Sequence, residues 1–279
     1  MTCNRKRQYV FFVVGIALLL ALIAYFSYNK KKEKLVFCEE VQFLYANDSL
    51  FAIHPFYNSY RDCYVVVFPS FWIVDSVYVR YKKNYSKLSS IDDSNIIYLE
   101  DRIIQCYRTN QPCVFINTKS GTMKTIDESK DKKVKEGGFC KITDKDGNLN
   151  YLGDFKSIGG RGNGTWRENN KKPYNLNMGK HLSVLGMQEG KKYCLLSNNM
   201  DRSNARNYIA YNFAKELKMS YAVDERYISL FLNGMYNGLY LLTNDISVQD
   251  DKFFYNIVVS QMRRRVKVII ICGQSMANC

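Results

Sequence analysis

The residues best suited to chemistry stand in one short run. Gly159, Gly160, Gly162 and Gly164 fall within six residues, and Lys172 follows shortly after. Glycines admit positive φ and let backbone N–H groups come close to a phosphate. A lysine downstream can supply a point charge for the same anion. The run is neither a GxxxxGK[ST] loop nor a plain GxGxxG. Glycine clusters are also the usual material of tight turns, so this loop alone leaves both readings open.

Three kinds of element must hold these residues. Phe155-Lys156-Ser157-Ile158 reads as a short strand that feeds the loop. Beyond it, Lys172, Tyr174, Leu176 and Met178 alternate with Lys171, Asn175 and Asn177. This segment reads as a strand with Lys172 on the apolar face and Lys171 on the other. Lys172 then either reaches a nucleotide phosphate or snorkels at the strand's edge. Residues 203–218 read as a helix, with Ile209, Phe213 and Leu217 on one face and Asp201 or Ser203 as its cap. Two apolar runs, 227–232 and 239–243, flank Asn233-Gly234 and predict a hairpin. Strand, glycine loop, lysine strand, helix and two strands is the order of the small lobe that covers ATP in protein kinases.

A set of motifs is more specific than this order. Gly160-Arg161-Gly162-Asn163-Gly164-Thr165-Trp166 resembles the GRGNSTW signature of the CotH (spore coat protein H) kinase family, with Gly164 in place of Ser. Lys171-Lys172-Pro173-Tyr174 resembles that family's KKPY, and Asp201 with Arg206-Asn207 its D…RN. Ser183-Val184-Leu185-Gly186-Met187 and Lys191-Lys192-Tyr193-Cys194-Leu195-Leu196-Ser197-Asn198 are similar to its LLGM…KKW-LLAN. Leu232-Asn233-Gly234 through Tyr240 resembles its LNG-Y-G-Y. The resemblance implies an atypical kinase that uses ATP and Mg²⁺ to phosphorylate Ser or Thr of a protein acceptor. It implies that Gly160, Arg161, Gly162, Asn163 and Gly164 cover the phosphates and that Lys172 contacts them. Arg206 is either part of that site or structural, and Trp166 either part of it or core.

The resemblance is incomplete. The family's acceptor-orienting and Mg²⁺-binding carboxylates lie in Asn-x-Asp-Gly and Trp-Asp-x-Asp motifs, and neither occurs here. Arg263-Arg264-Arg265 and the isoleucines after it have no counterpart in the family. The expectation is a family homologue with its ATP-binding half present and catalysis missing, its tail truncated or frameshifted. The alternative is a non-enzymatic surface module that binds a partner protein or a cell-wall polymer.

Residues 9–28 carry no charge and are long enough to span about 30 Å as a helix. Arg5, Lys6 and Arg7 precede them, Lys30, Lys31, Lys32 and Lys34 follow, and Tyr9, Tyr25 and Tyr28 stand near the ends. A single-pass membrane anchor is expected, with a cleaved signal peptide as the alternative. The family resemblance implies a bacterial membrane, where a short eight-residue N-terminal tail is usually left inside and the bulk of the chain is expected to be extracytoplasmic. Between 35 and 126 the sequence offers short runs rich in β-branched and aromatic residues, among them Cys63-Tyr64-Val65-Val66-Val67-Phe68, Phe71-Trp72-Ile73-Val74 and Val77-Tyr78-Val79-Arg80-Tyr81. These read as strands of an immunoglobulin-like sandwich. Residues 127–138 (DESKDKKVKEGG) read either as a linker or as an exposed hairpin.

The predicted fold is therefore α+β. A transmembrane anchor occupies 1–34, a β-sandwich-like domain 35–126, a kinase-like small lobe of sheet plus one main helix 127–250, and an atypical tail 251–279. The net charge of +14 suits anionic surroundings without choosing among them, and no nucleic-acid motif accompanies it. Nucleic acid is not an expected partner. Nine cysteines without a CxxC pair, and only two histidines, make a zinc site improbable. Their odd number excludes complete internal disulfide pairing.

Overall fold

The computed structural model describes residues 40–245, apart from 47, 89, 92–94, 100–101, 169 and 220–221. The stretch 9–28 and the tail 251–279 lie outside these residues. The expected single-pass placement in a membrane is corrected on one finding: among the described residues, no helix is long and apolar enough to cross a membrane.

Two four-stranded sheets build the first half. One has the order β2-β1-β5-β6, the other β3-β4-β8-β7. The strands are β1 (Val41–Tyr45), β2 (Asp48–Ile53), β3 (Phe56–Asn58), β4 (Cys63–Pro69), β5 (Val77–Tyr81), β6 (Asn84–Lys87), β7 (Ile96–Leu99) and β8 (Arg102–Thr109). Alternation along β1 and β5 buries Val41, Phe43, Val77 and Val79, which meet Val66, Phe68 and Ile104 of the facing sheet in one core. Phe71-Trp72-Ile73-Val74, expected as a strand, is instead a turn leading into a single 3₁₀ turn at Val74–Ser76. Trp72 is the reason. Its ring stacks on Phe68 at 5.4 Å and on Tyr45 at 5.1 Å, which closes the end of the sandwich and turns the chain out of the sheet.

The second half is a closed barrel in the order β10-β11-β12-β13-β15-β14-β9. Its strands are β9 (Cys113–Thr118), β10 (Lys135–Thr143), β11 (Leu149–Gly160), β12 (Tyr174–Leu182), β13 (Gly190–Leu196), β14 (Glu225–Leu232) and β15 (Met235–Asn244). Three short helices accompany it: α1 (Lys124–Asp127), α2 (Gly164–Glu168) and α3 (Arg206–Glu216). This corrects the expected α+β fold and its kinase-like small lobe, because the described chain is mostly strand and its second half is a barrel. Two physical reasons stand behind the correction. β9 pairs in parallel with β14 and antiparallel with β10, so the sheet has no open edge. And α3, expected as a packed helix, buries none of its residues, with Ile209, Phe213 and Leu217 each about 60% exposed.

β9 lies within the 35–126 stretch of sequence yet is a barrel strand, so the two halves share it. Val114 and Ile116 face the barrel core, whereas Cys113 and Phe115 face the sandwich. Residues 127–138 end α1, turn, and enter β10 at Lys135. Among the described cysteines, Cys63, Cys106, Cys113, Cys140 and Cys194 are free thiols.

Candidate functional site

β11, feeding the glycine loop, is paired with β12 from Gly160↔Tyr174 to Ser157↔Asn177. The loop is thus the connection between two adjacent barrel strands, pinned at its neck by the Arg161 N–H donating to the Pro173 carbonyl at 3.1 Å. Along β12, Tyr174, Leu176 and Met178 point inward and are buried, as the alternation requires.

Each glycine of the loop has its own reason. Gly160 is buried against Trp166, and a Cβ there would lie 2.5 Å from the indole ring. Trp166 is itself buried in the barrel core, and its Nε1 donates to the Ser129 carbonyl at 2.9 Å. Gly162 has φ +73°, and a Cβ would lie 2.4 Å from Thr165 Oγ1. Gly164 opens α2 with nothing within 4 Å of the Cβ position. The Asn163 carbonyl accepts from the Trp166 and Arg167 N–H groups at 3.2 Å, and its side-chain oxygen accepts from Lys132 Nζ at 2.8 Å. Lys132 also donates to the Gly162 carbonyl, so the 127–138 segment braces the loop from outside.

A cleft of about 290 Å³ lies between this loop and the start of α3. Arg161, Gly162 and Thr165 form one wall; Asp201, Arg206 and Asn207 form another. The second wall is a capping structure. Asp201 accepts from the Arg206 N–H at 2.9 Å and from the Ser203 hydroxyl at 2.7 Å, and Ser203 Oγ accepts from the Ala205 N–H at 3.2 Å. Chiefly the Arg206 N–H, and then the Ser203 hydroxyl, hold the Asp201 carboxyl below its ordinary value. Arg206 pairs with the same carboxylate at 3.6 Å while its side chain stays 81% exposed. Asn207 donates to Asn198 Oδ1 at 2.8 Å, tying the helix to the loop after β13. Arg161 is half-buried, close enough to Cys194 and Tyr211 to favour their ionised forms. Burial outweighs that help and pushes the Cys194 thiol to about 12.

Of the residues singled out in the sequence, Arg161, Gly162 and Arg206 line this cleft. Gly160 packs against Trp166, and Asn163 and Gly164 form the start of α2 on the loop's far side. Lys172 does not line the cleft either. Its ammonium donates to the Trp166 carbonyl and lies 5.2 Å from the indole centroid. Since β12 begins only at Tyr174, strand alternation does not extend to the two lysines, and Lys171 is not simply opposed to Lys172. Lys171 donates to the Leu239 carbonyl and lies 4.6 Å from the Tyr240 centroid, and burial lowers its amine to about 8.

Sequence reasoning missed Asp127. Its carboxylate accepts from the buried Tyr174 hydroxyl at 2.8 Å, and burial raises it above the ordinary carboxylate value although that bond and Lys172 oppose the shift. The one signal available was its position at the start of a charged stretch, and such stretches are ordinarily solvated.

Compared with known proteins, no curated protein matches the chain. The last residues of β11, the glycine loop, β12, β13, α3, β14 and β15 fall instead within one recognised region: residues 158–253 match the family model described as CotH kinase protein.

Proposed function

We propose that the cleft between the glycine loop and α3 binds the polyphosphate of a nucleotide, as the CotH match at 158–253 suggests. The observation that carries the reading is the meeting of Arg161 and Gly162 with Arg206 and Asn207 across one cleft. These two segments are about forty residues apart in sequence. Two guanidinium groups favour an anion; the Asp201 carboxylate already caps the Arg206 N–H and pairs with the Arg206 side chain, and that 81% exposed side chain can turn from it to a phosphate. ATP is the nucleotide that the family implies. Mg²⁺ would enter with its phosphates, since among the described residues no group of three or more His, Cys, Asp and Glu could hold an ion. The carboxylate motifs that serve phosphoryl transfer in the family are not among the 279 residues, and the reading is confined to binding.

The test is a titration of the 279-residue chain with ATP and Mg²⁺, followed by calorimetry and by melting temperature. Binding raises the melting temperature by mass action. Losing one charge-assisted hydrogen bond in Arg161→Ala or Arg206→Ala weakens binding about tenfold or more. Arg206 is exposed enough that its removal leaves the fold intact. An unchanged melting temperature at millimolar ATP, or an affinity in both variants equal to that of the unsubstituted chain, would reject the assignment.

A further inference from the structure

We propose that a second cleft, where the sandwich meets one end of the barrel, binds a neutral polyhydroxylated ligand of mono- or disaccharide size. It lies at the end where β9 and β14 finish and β15 begins, and it shares no lining residue with the glycine-loop cleft. Its volume of about 610 Å³ falls within the roughly 300–1,000 Å³ usual for small-ligand sites. The barrel contributes Asp127, Tyr174 and Asn237, and the sandwich contributes Gln42 and His54.

The polar groups are already held in place. Tyr174 donates to Asp127 at 2.8 Å, Asn237 Nδ2 donates to the Tyr240 hydroxyl at 3.0 Å, and that hydroxyl donates to the Lys172 carbonyl at 2.8 Å. Asn237 also hydrogen-bonds the Tyr174 side chain and Gln42 Oε1 accepts from Arg80 at 3.3 Å, yet each group keeps further capacity. Asp127 has a second carboxylate oxygen, Asn237 has a carbonyl oxygen, and Gln42 has its amide N–H protons. A carboxylate that accepts, beside amides that both give and take, suits adjacent hydroxyls, each of which is donor and acceptor. On the same walls Met123 and Met235 offer deformable apolar contact for the C–H faces of a sugar ring. Burial of Asp127 against Tyr174 also fits an interaction site, since desolvated carboxylates in clefts are overrepresented there.

The experiment is ligand-observed NMR on the 279-residue chain with maltose and N,N′-diacetylchitobiose, beside propylamine as an amine probe. The expected result is saturable binding of at least one disaccharide with a dissociation constant below about 10 mM. In Gln42→Ala and in Asn237→Ala, affinity for that disaccharide falls about tenfold, as for one lost hydrogen bond; without ligand the melting temperature is unchanged in Gln42→Ala and falls in Asn237→Ala, which takes a donor from the buried Tyr240 hydroxyl. ATP affinity stays the same in both variants, so failure here and failure of the nucleotide site are read separately. Absence of disaccharide binding, binding of propylamine alone, or an affinity in both variants equal to that of the unsubstituted chain overturns the proposal.

Discussion

At the scale of single residues, three glycines of one loop should respond to alanine in three different ways, although their one-letter pattern treats them alike. Gly164 heads a helix in open space, so Gly164→Ala should stabilise the fold by up to about 1 kcal/mol through the unfolded chain. Gly162 has φ +73°, and Gly162→Ala should cost about 1–2 kcal/mol. Gly160→Ala drives a methyl into the Trp166 ring inside a packed core, a cost of about 1–3 kcal/mol. Urea unfolding of the three variants measures the order, and a stabilising Gly162→Ala would refute the loop geometry. Lys171 should show itself through pH. Its folded value of about 8 lies below the ordinary 10.5, so between these the unfolded chain binds the proton and the folded chain does not. The penalty of burying the charge is full below about pH 8 and fades toward 10.5, so stability rises with pH across that window. In Lys171→Met the rise across that window should flatten. An identical slope in both proteins would show that the amine titrates normally.

At the scale of elements, what could be read in the sequence was local and what could not was closure. β4 and β5 coincide with runs read as strands, and the hairpin across Asn233-Gly234 stands where its turn residues place it, because strand alternation and turn chemistry are written within a few residues. Arg161, Gly162 and Arg206 were found through spaced motifs, and they meet in one cleft. The parallel pairing of β9 with β14 joins residues over a hundred positions apart, and no periodicity within either strand announces it. Helix α3 shows the opposite failure. Ile209, Phe213 and Leu217 repeat as a buried face would, yet the helix meets the barrel through its other side, where Tyr208 stacks on Tyr227 at 5.2 Å and Asn212 donates to Glu225 at 3.0 Å. The prediction follows from exposure: Ile209→Ser and Phe213→Ser should each change stability by less than about 0.5 kcal/mol, measured by urea unfolding. A loss of about 3 kcal/mol or more, typical of truncating a large buried side chain, would mean that this face is covered.

At the scale of the whole molecule, the turn between β14 and β15 acts as a clasp between the two halves, which explains the Leu232-Asn233-Gly234 motif without recourse to chemistry. Asn233 accepts from the Thr118 N–H at 2.8 Å and donates its own N–H to the Ile116 carbonyl at 2.8 Å, which fastens the turn to β9. The Gly234 carbonyl accepts from the His54 N–H at 2.8 Å, which fastens it to the sandwich. Beneath these bonds Phe115 and Phe231 stack at 4.6 Å, and both belong to the sandwich core although they stand on barrel strands. The halves therefore share apolar surface as well as hydrogen bonds, and the described chain should unfold in one cooperative step. Gly234→Ala tests this at its narrowest point. The residue has φ +82°, and a Cβ would lie 2.8 Å from the Ala52 carbonyl oxygen and 2.4 Å from the His54 ring. A flexible side chain could swing away from such a contact, but the Ala52 backbone belongs to β2 and cannot yield without moving the sandwich. Strain at φ adds to the clash, for a combined loss of about 2 kcal/mol or more. The clasp reading requires that the near-ultraviolet signal of Trp72 in the sandwich and of Trp166 in the barrel shift together to the lower denaturant midpoint. If the variant instead resolves two transitions, with one tryptophan unchanged, the halves are independent and the turn merely touches its neighbour.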